Sequence, residues 1–256
     1  MSEAQVQSTA TGAILFDAAA CNGARPDDAW FDPSYWAGRG LAQTRSGGRG
    51  GVAFVETPAG ACVLRHYHRG GLAARVSADH YLWTGARRTR AFREFHLLDE
   101  LLASGLPVPA PVAARYTRKG MHYRADLIMR RIPWVETVAE RLARGALDPT
   151  LAKRVGATIA QFHSAGAFHA DLNAHNILVD EHGVVSLIDF DRGSLRKPAL
   201  AWQQSNLARL RRSFDKLGAQ KTLADFDARF WHPMLAAYHA GLARDEAGFA
   251  RRGAAR

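Results

Sequence analysis

The segment His169-Ala-Asp-Leu-Asn-Ala-His-Asn176, followed after a short gap by Leu187-Ile-Asp-Phe-Asp191, supplies two carboxylates and one carboxamide in an ordered set. Their spacing is the one that phosphoryl transfer from a magnesium nucleotide requires. In that chemistry a base Asp is followed five residues later by a metal-binding Asn, and a second metal Asp arrives after the next strand. Asp171 and Asn176 have this separation, and Asp189 follows the apolar run 184–188. Magnesium prefers hard oxygen ligands and takes only one or two from the protein. Asn176 and Asp189 would supply them from neighbouring backbone segments, leaving Asp171 to orient an acceptor hydroxyl and take its proton. His169 is expected to brace the loop through a hydrogen bond. A hairpin whose Asp and Asn residues merely cap turns accounts for such residues one at a time but not for the ordered set.

Several elements must position these groups. Ser46-Gly-Gly-Arg-Gly-Gly51 reads as a glycine-rich turn, and Gly47, Gly48 and Gly50 would let the backbone approach nucleotide phosphates. Residues 52–55 and 61–67 read as a hairpin with Pro58, Ala59 and Gly60 at its tip. The spacing of Phe92, Phe95, Leu98, Leu101 and Leu102 predicts a helix over 87–103, stopped by Gly105 and Pro107. Residues 112–116 and 123–129 would complete a five-stranded sheet, with a hinge near 130–133. The second half reads as mostly helical. Asp148 and Pro149 would open a helix with Leu151, Val155, Ile159 and Phe162 on one face, and two further helices are expected over 199–217 and 222–242. The fold class expected is α+β: a two-lobed, protein-kinase-like arrangement with an N-terminal antiparallel sheet carrying one long helix, and a mainly helical C-terminal lobe. The divisions are a loosely packed extension over 1–34, a nucleotide-binding lobe over 35–131 and a lobe with catalytic loop and acceptor site over 132–256.

At 256 residues, 47% apolar and 23% charged, the composition is that of a globular protein, and no stretch is apolar enough to span a bilayer. Residues 1–12 lack the layout of a signal peptide, and two cysteines, Cys21 and Cys62, are too few for a disulfide framework. Both features fit the cytoplasm. A net charge of +10, mostly arginine, gives a positive field toward acidic partners.

The chain resembles the 3-deoxy-D-manno-octulosonic acid (Kdo) kinases of Gram-negative lipopolysaccharide synthesis over residues 35–215. The resemblance rests on VLRHYHRGG (63–71), WTGARRTRAFREFHLL (83–98), GLPVPAPVAAR (105–115), YRADLIM (123–129), HADLNAHNIL and LIDFDRG. It implies ATP-dependent phosphorylation of the Kdo residue of a Kdo–lipid A precursor, at the 4-hydroxyl, with Mg2+ as the metal. It also implies a peripheral place on the anionic, cytoplasmic face of the inner membrane and no nucleic-acid partner; the oligomeric state stays open. A lipopolysaccharide core heptose kinase shares the catalytic loop, and a catalytically inactive basic binding module is the alternative of another class.

Two positions depart from the general kinase pattern. The lysine expected on the third strand is replaced by Arg65, whose planar fork suits phosphate and carboxylate oxygens and would join the nucleotide phosphates to Glu94. The metal motif reads Asp-Phe-Asp, so Asp191 either binds metal or pairs with Arg192 or Arg196. Elsewhere, His163 reads as a core histidine. His66, His68 and Arg69 are open to phosphate, to an acidic sugar or to water, as are Arg87, Arg88 and Arg90 to lipid phosphates or water. The stripe Leu207, Leu210, Phe214 and Leu217 would pack inside the helical lobe or rest on anionic lipid.

Overall fold

A computed structural model describes residues 4–44, 52–68, 79–133 and 135–253. The chain forms two compact units, residues 1–103 with 109–131 and residues 104–108 with 132–256.

The first unit is built on an antiparallel sheet of β1 (Ala4–Ser8), β2 (Gly12–Asp17), β3 (Ala42–Thr44), β4 (Val52–Thr57), β5 (Gly60–His66), β6 (Tyr81–Leu82), β7 (Pro111–Lys119) and β8 (His122–Arg130). The strand order is β1-β2-β7-β8-β5-β4-β3, with β6 paired to the beginning of β8. Among the described residues eight strands thus stand where five were expected, and the additions lie mostly at the edges. Residues 4–17, expected to be loosely packed, form the β1–β2 hairpin, and β2 pairs with β7 through Leu15 and Ala114. The apolar run Ala13–Phe16 gives the reason, because every one of its side chains is buried. Trp30, Phe31 and Trp36, in a 3₁₀ turn (Asp28–Phe31) and helix α1 (Pro33–Ala37), complete that core with Cys21 and Cys62. Both cysteines are free thiols, and burial pushes Cys21 up to about 11.

The expected tip of the β4–β5 hairpin is present, with Gly60 at φ 91°, a left-handed conformation that favours glycine. Helix α2 (Arg90–Ala103) begins three residues later than the spacing suggested, because Ala86–Arg88 forms a 3₁₀ turn. It buries Phe92, Phe95, Leu98 and Leu101 and packs against β7, whereas Leu102 is exposed. The glycine-rich turn with Gly47, Gly48 and Gly50, like Arg69, lies outside the described residues.

The second unit holds β9 (Val135–Thr137), α3 (Val138–Ala143), α4 (Pro149–Ser164), β10 (Ala167–Phe168), β11 (Ile177–Asp180), β12 (Val185–Leu187), β13 (Ser194–Leu195), α5 (Leu200–Lys216), α6 (Ala219–Thr222) and α7 (His232–Gly253). Asp148 caps α4 by accepting the Leu151 N–H at 2.8 Å, with Pro149 in the first turn. The stripe Leu151, Val155, Ile159 and Phe162 is fully buried. Helices α4 and α7 pack so closely that a Cβ on Gly156 would lie 2.0 Å from the Met234 carbonyl oxygen. The single helix expected over 222–242 is interrupted. Leu223 turns into an extended conformation and buries, Phe226 packs against Phe214, and a π-helical turn (Asp227–Trp231) leads into α7. Burying two apolar side chains there outweighs the helical hydrogen bonds given up.

Candidate active site

The second unit places Asn176 and Asp189 by simple register. Strands β11 and β12 pair antiparallel, Ile177 opposite Leu187 and Val179 opposite Val185, so the residues just outside the pair fall at one end of the hairpin. There the Ile188 N–H donates to the Asn176 carbonyl at 3.1 Å. The Asn176 side chain is buried, and its Nδ2 donates to the Asp171 carbonyl at 3.0 Å. That bond fixes the carboxamide with Oδ1 as its remaining oxygen, the atom type a hard cation takes. Asp189 has φ 65°, a left-handed conformation uncommon outside glycine and typical of strained functional turns.

His169 ties the loop to the hairpin. Its Nδ1 accepts the Asp171 N–H at 3.1 Å and its Nε2 lies 2.9 Å from the Ile188 carbonyl oxygen. One nitrogen accepting and the other donating assigns the neutral Nε2–H tautomer. Burial agrees, pushing the ring below the ordinary histidine range. Phe190 lies under the ring with centroids 4.7 Å apart, and Phe162 stacks beyond it. His169 therefore joins the backbone on which Asp171 sits to the carbonyl immediately before Asp189, as the bracing role required.

Helix α5 holds the same loop from another side. Asn206 Nδ2 donates to the His169 carbonyl at 3.0 Å, Arg209 donates to Asp171 Oδ1 at 3.1 Å, and Ser213 Oγ accepts the Ala174 N–H at 3.2 Å. Asn173 Nδ2 approaches Asp171 Oδ2 at 3.2 Å. The Asp171 side chain remains about half exposed, open to an incoming group. None of the α5 contacts was read from the sequence. The only signal was that Asn206, Arg209 and Ser213 recur on one helical face, which does not reveal what that face covers.

In the first unit, Arg65 on β5 meets Glu94 on α2. A single guanidinium nitrogen lies 3.2 and 3.4 Å from the two carboxylate oxygens. The Tyr67 hydroxyl donates to Glu94 at 2.6 Å. Tyr67 was read only as the end of a strand, and its part here was not legible. Glu94 is almost wholly buried, so its charge needs polar partners, and these two donors are among them.

The remaining cations and histidines divide. His66 is held between acids, its Nδ1 2.6 Å from Asp126 and its Nε2 3.5 Å from Asp79. The Asp126 hydrogen bond raises its pKa, and Asp126 also receives Arg115 at 2.8 Å. His66 is thus an internal ion-pair partner. His163 is a core residue, bonded to the Tyr238 hydroxyl at 2.8 Å and pushed down to about 4 by burial. The α5 stripe faces inward through Leu207, Leu210 and Phe214, with only Leu217 partly exposed. Arg87 and Arg88 are exposed, whereas Arg90 reaches the Tyr81 hydroxyl at 2.8 Å.

Comparison with known proteins adds a family. Residues 34–238 match the model of the lipopolysaccharide kinase (Kdo/WaaP) family. The chain is 50% identical over 215 residues to a 3-deoxy-D-manno-octulosonic acid kinase of Stenotrophomonas maltophilia (strain R551-3), covering 84% of each chain. It is 52% identical over 216 residues to the protein of that name in Xanthomonas campestris pv. campestris (strain B100), covering 84% of this chain and 85% of the other. A third relative of the same name, in Xylella fastidiosa (strain 9a5c), is 47% identical over 213 residues, covering 83% of this chain and 84% of the other.

Proposed function

The chain belongs to the lipopolysaccharide kinase (Kdo/WaaP) family, and from that premise we propose that it transfers the γ-phosphoryl group of ATP to the 4-hydroxyl of the Kdo residue on a Kdo–lipid A precursor. The observation that carries this reading is the loop and hairpin of the second unit. They hold Asp171, Asn176 and Asp189 on backbone segments joined by His169.

Asp171 orients the acceptor hydroxyl and receives its proton as the oxygen bonds to the γ-phosphorus. The bond from that phosphorus to the β–γ bridging oxygen breaks, and ADP leaves. Asn176 Oδ1 and the Asp189 carboxylate would hold Mg2+, which supplies charge neutralisation on the phosphates when bound. Arg65 binds nucleotide phosphate, with Glu94 and Tyr67 fixing its direction. Gly47, Gly48 and Gly50 would, as glycines, let the backbone come close to the same phosphates.

We place the protein on the anionic cytoplasmic face of the inner membrane. No helix among the described residues is long and apolar enough to cross a membrane. The support for surface binding is the net charge of +10 and the tip of the β7–β8 hairpin. There Met121 and, on the paired strand β6, Leu82 are exposed, and the same hairpin carries the exposed cations Arg118 and Lys119, whereas Arg124 is paired with Asp79 at 2.8 Å. Each cation near such a leaflet adds about 1 kcal/mol. Cosedimentation with vesicles containing anionic lipid should weaken in Met121→Glu; equal binding by the variant would remove the tip from the contact.

The decisive assay for the acceptor offers ATP, magnesium and either Kdo–lipid acceptor or a heptosylated core acceptor, followed by mass analysis of the product. Phosphate on the Kdo sugar is expected. Phosphate on heptose alone would make this a core heptose kinase.

A further inference from the structure

Arg209 is the one side chain from outside the loop in a hydrogen-bonded ion pair with Asp171 among the described residues. Its position is fixed from both sides. Asn206, three residues earlier, and Ser213, four residues later, grip the backbone of the same loop at His169 and Ala174. Those two contacts suffice to seat α5 on the loop. The middle residue of the row adds a guanidinium aimed at the carboxylate that is to meet the acceptor. Arg211, two residues on and so on another face, is taken up by Asp215 and Asp227.

The Arg209–Asp171 pair is built for exchange. Its side chains are 47% and 54% exposed, so water already competes for both and separating them costs little. Both Asp171 oxygens accept a hydrogen bond, one from Arg209 and one from Asn173. An acceptor hydroxyl must therefore share or displace these donors. A planar guanidinium released from one carboxylate is best matched by another, bound through two parallel N–H donors. The proposed acceptor is a sugar acid, carrying a carboxylate a few bonds from its reacting hydroxyl.

We propose that Arg209 is the receptor for the acceptor's carboxylate. It passes from Asp171 to the sugar acid as the acceptor docks, so that an acidic acceptor both orients itself and uncovers the base. This inference rests on the reading of Asp171 as the base of a Kdo phosphotransferase.

The test compares the Kdo acceptor with its methyl ester, in wild type, Arg209→Gln and Arg209→Lys, by measuring kcat and KM for each. Wild type should prefer the free acid by about ten- to a hundredfold in kcat/KM, the usual weight of a charge-assisted hydrogen bond. In Arg209→Gln the two acceptors should become equal to within about twofold, the scatter expected of uncoupled sites. Arg209→Lys should restore part of the preference, chiefly through KM. A full preference for the acid in Arg209→Gln would overturn the assignment. So would equal losses on acid and ester, the signature of a residue that only positions Asp171. A wild type that phosphorylates neither acceptor would instead overturn the parent reading of function, and this inference with it.

Discussion

Each unit of the molecule contains a carboxylate paired with an arginine, and the two pairs are built on opposite terms. In the first, the Glu94 side chain is 1% exposed and is held by both Arg65 and the Tyr67 hydroxyl. In the second, Asp171 and Arg209 are each about half open to water. A buried carboxylate cannot lose its partners without a large desolvation cost, so the first pair is a fixed support that aims Arg65. An exposed pair contributes little to stability and can change partners as a ligand arrives. On the proposed mechanism, the contrast separates groups that would bind in one arrangement throughout from groups that would be reorganised during turnover.

Four tests sharpen that contrast, the Glu94 and Tyr67 substitutions forming one of them. The largest effect is expected from Asp189→Ala, which should lower kcat by about a hundred- to a thousandfold, the usual loss on removing one electrostatic stabiliser. Its melting temperature should stay near wild type; a parallel collapse of stability would make Asp189 structural. Next is Glu94→Gln, expected to cost about 3 kcal/mol in urea unfolding because Arg65 and Tyr67 lose a buried anion. Tyr67→Phe should cost about 1 kcal/mol.

The third is a pH effect. Burial holds His163 near 4 in the folded chain against 6.5 in the unfolded chain, so the unfolded state binds the proton first. The contribution is intact above pH 6.5 and is lost as pH falls from 6.5 toward 4, on the order of 3 kcal/mol at the lower end. His66 runs the other way. Its raised pKa gives a contribution that is complete below 6.5 and is lost as pH rises through the folded value. Unfolding free energies measured from pH 7 to 4 should fall, and His163→Leu should flatten the slope; an unchanged slope would exclude His163 as its source. The smallest effect is the stability of Arg209→Gln, expected within about 1 kcal/mol of wild type by the same unfolding measurement.

What could be read in advance follows the range of the interactions. Asp171, Asn176 and Asp189 lie close in sequence, and an antiparallel hairpin with a short turn fixes their register locally, so their relation was legible. The face of α4 and its Asp148 cap were legible for the same reason. Contacts set by tertiary packing were not. The row Asn206, Arg209 and Ser213 meets residues almost forty positions away, and helical periodicity says which residues share a face without saying what lies beneath. Tyr67 reaches Glu94 only because β5 and α2 come together. The β1–β2 hairpin escaped because β1 (Ala-Gln-Val-Gln-Ser) buries almost nothing and reads as polar coil, although the apolar run of β2 gave a usable sign.

The central claim is that Asp171, Asn176 and Asp189 act together on one nucleotide and one sugar hydroxyl. It is tested most directly by incubating wild type and Asp171→Asn with ATP, magnesium and Kdo–lipid acceptor and weighing the product. Wild type should add a single phosphate to the Kdo sugar. Asp171→Asn should remain folded, still bind ATP, and transfer at least about a hundredfold more slowly. Transfer at the wild-type rate by the folded variant would contradict the account.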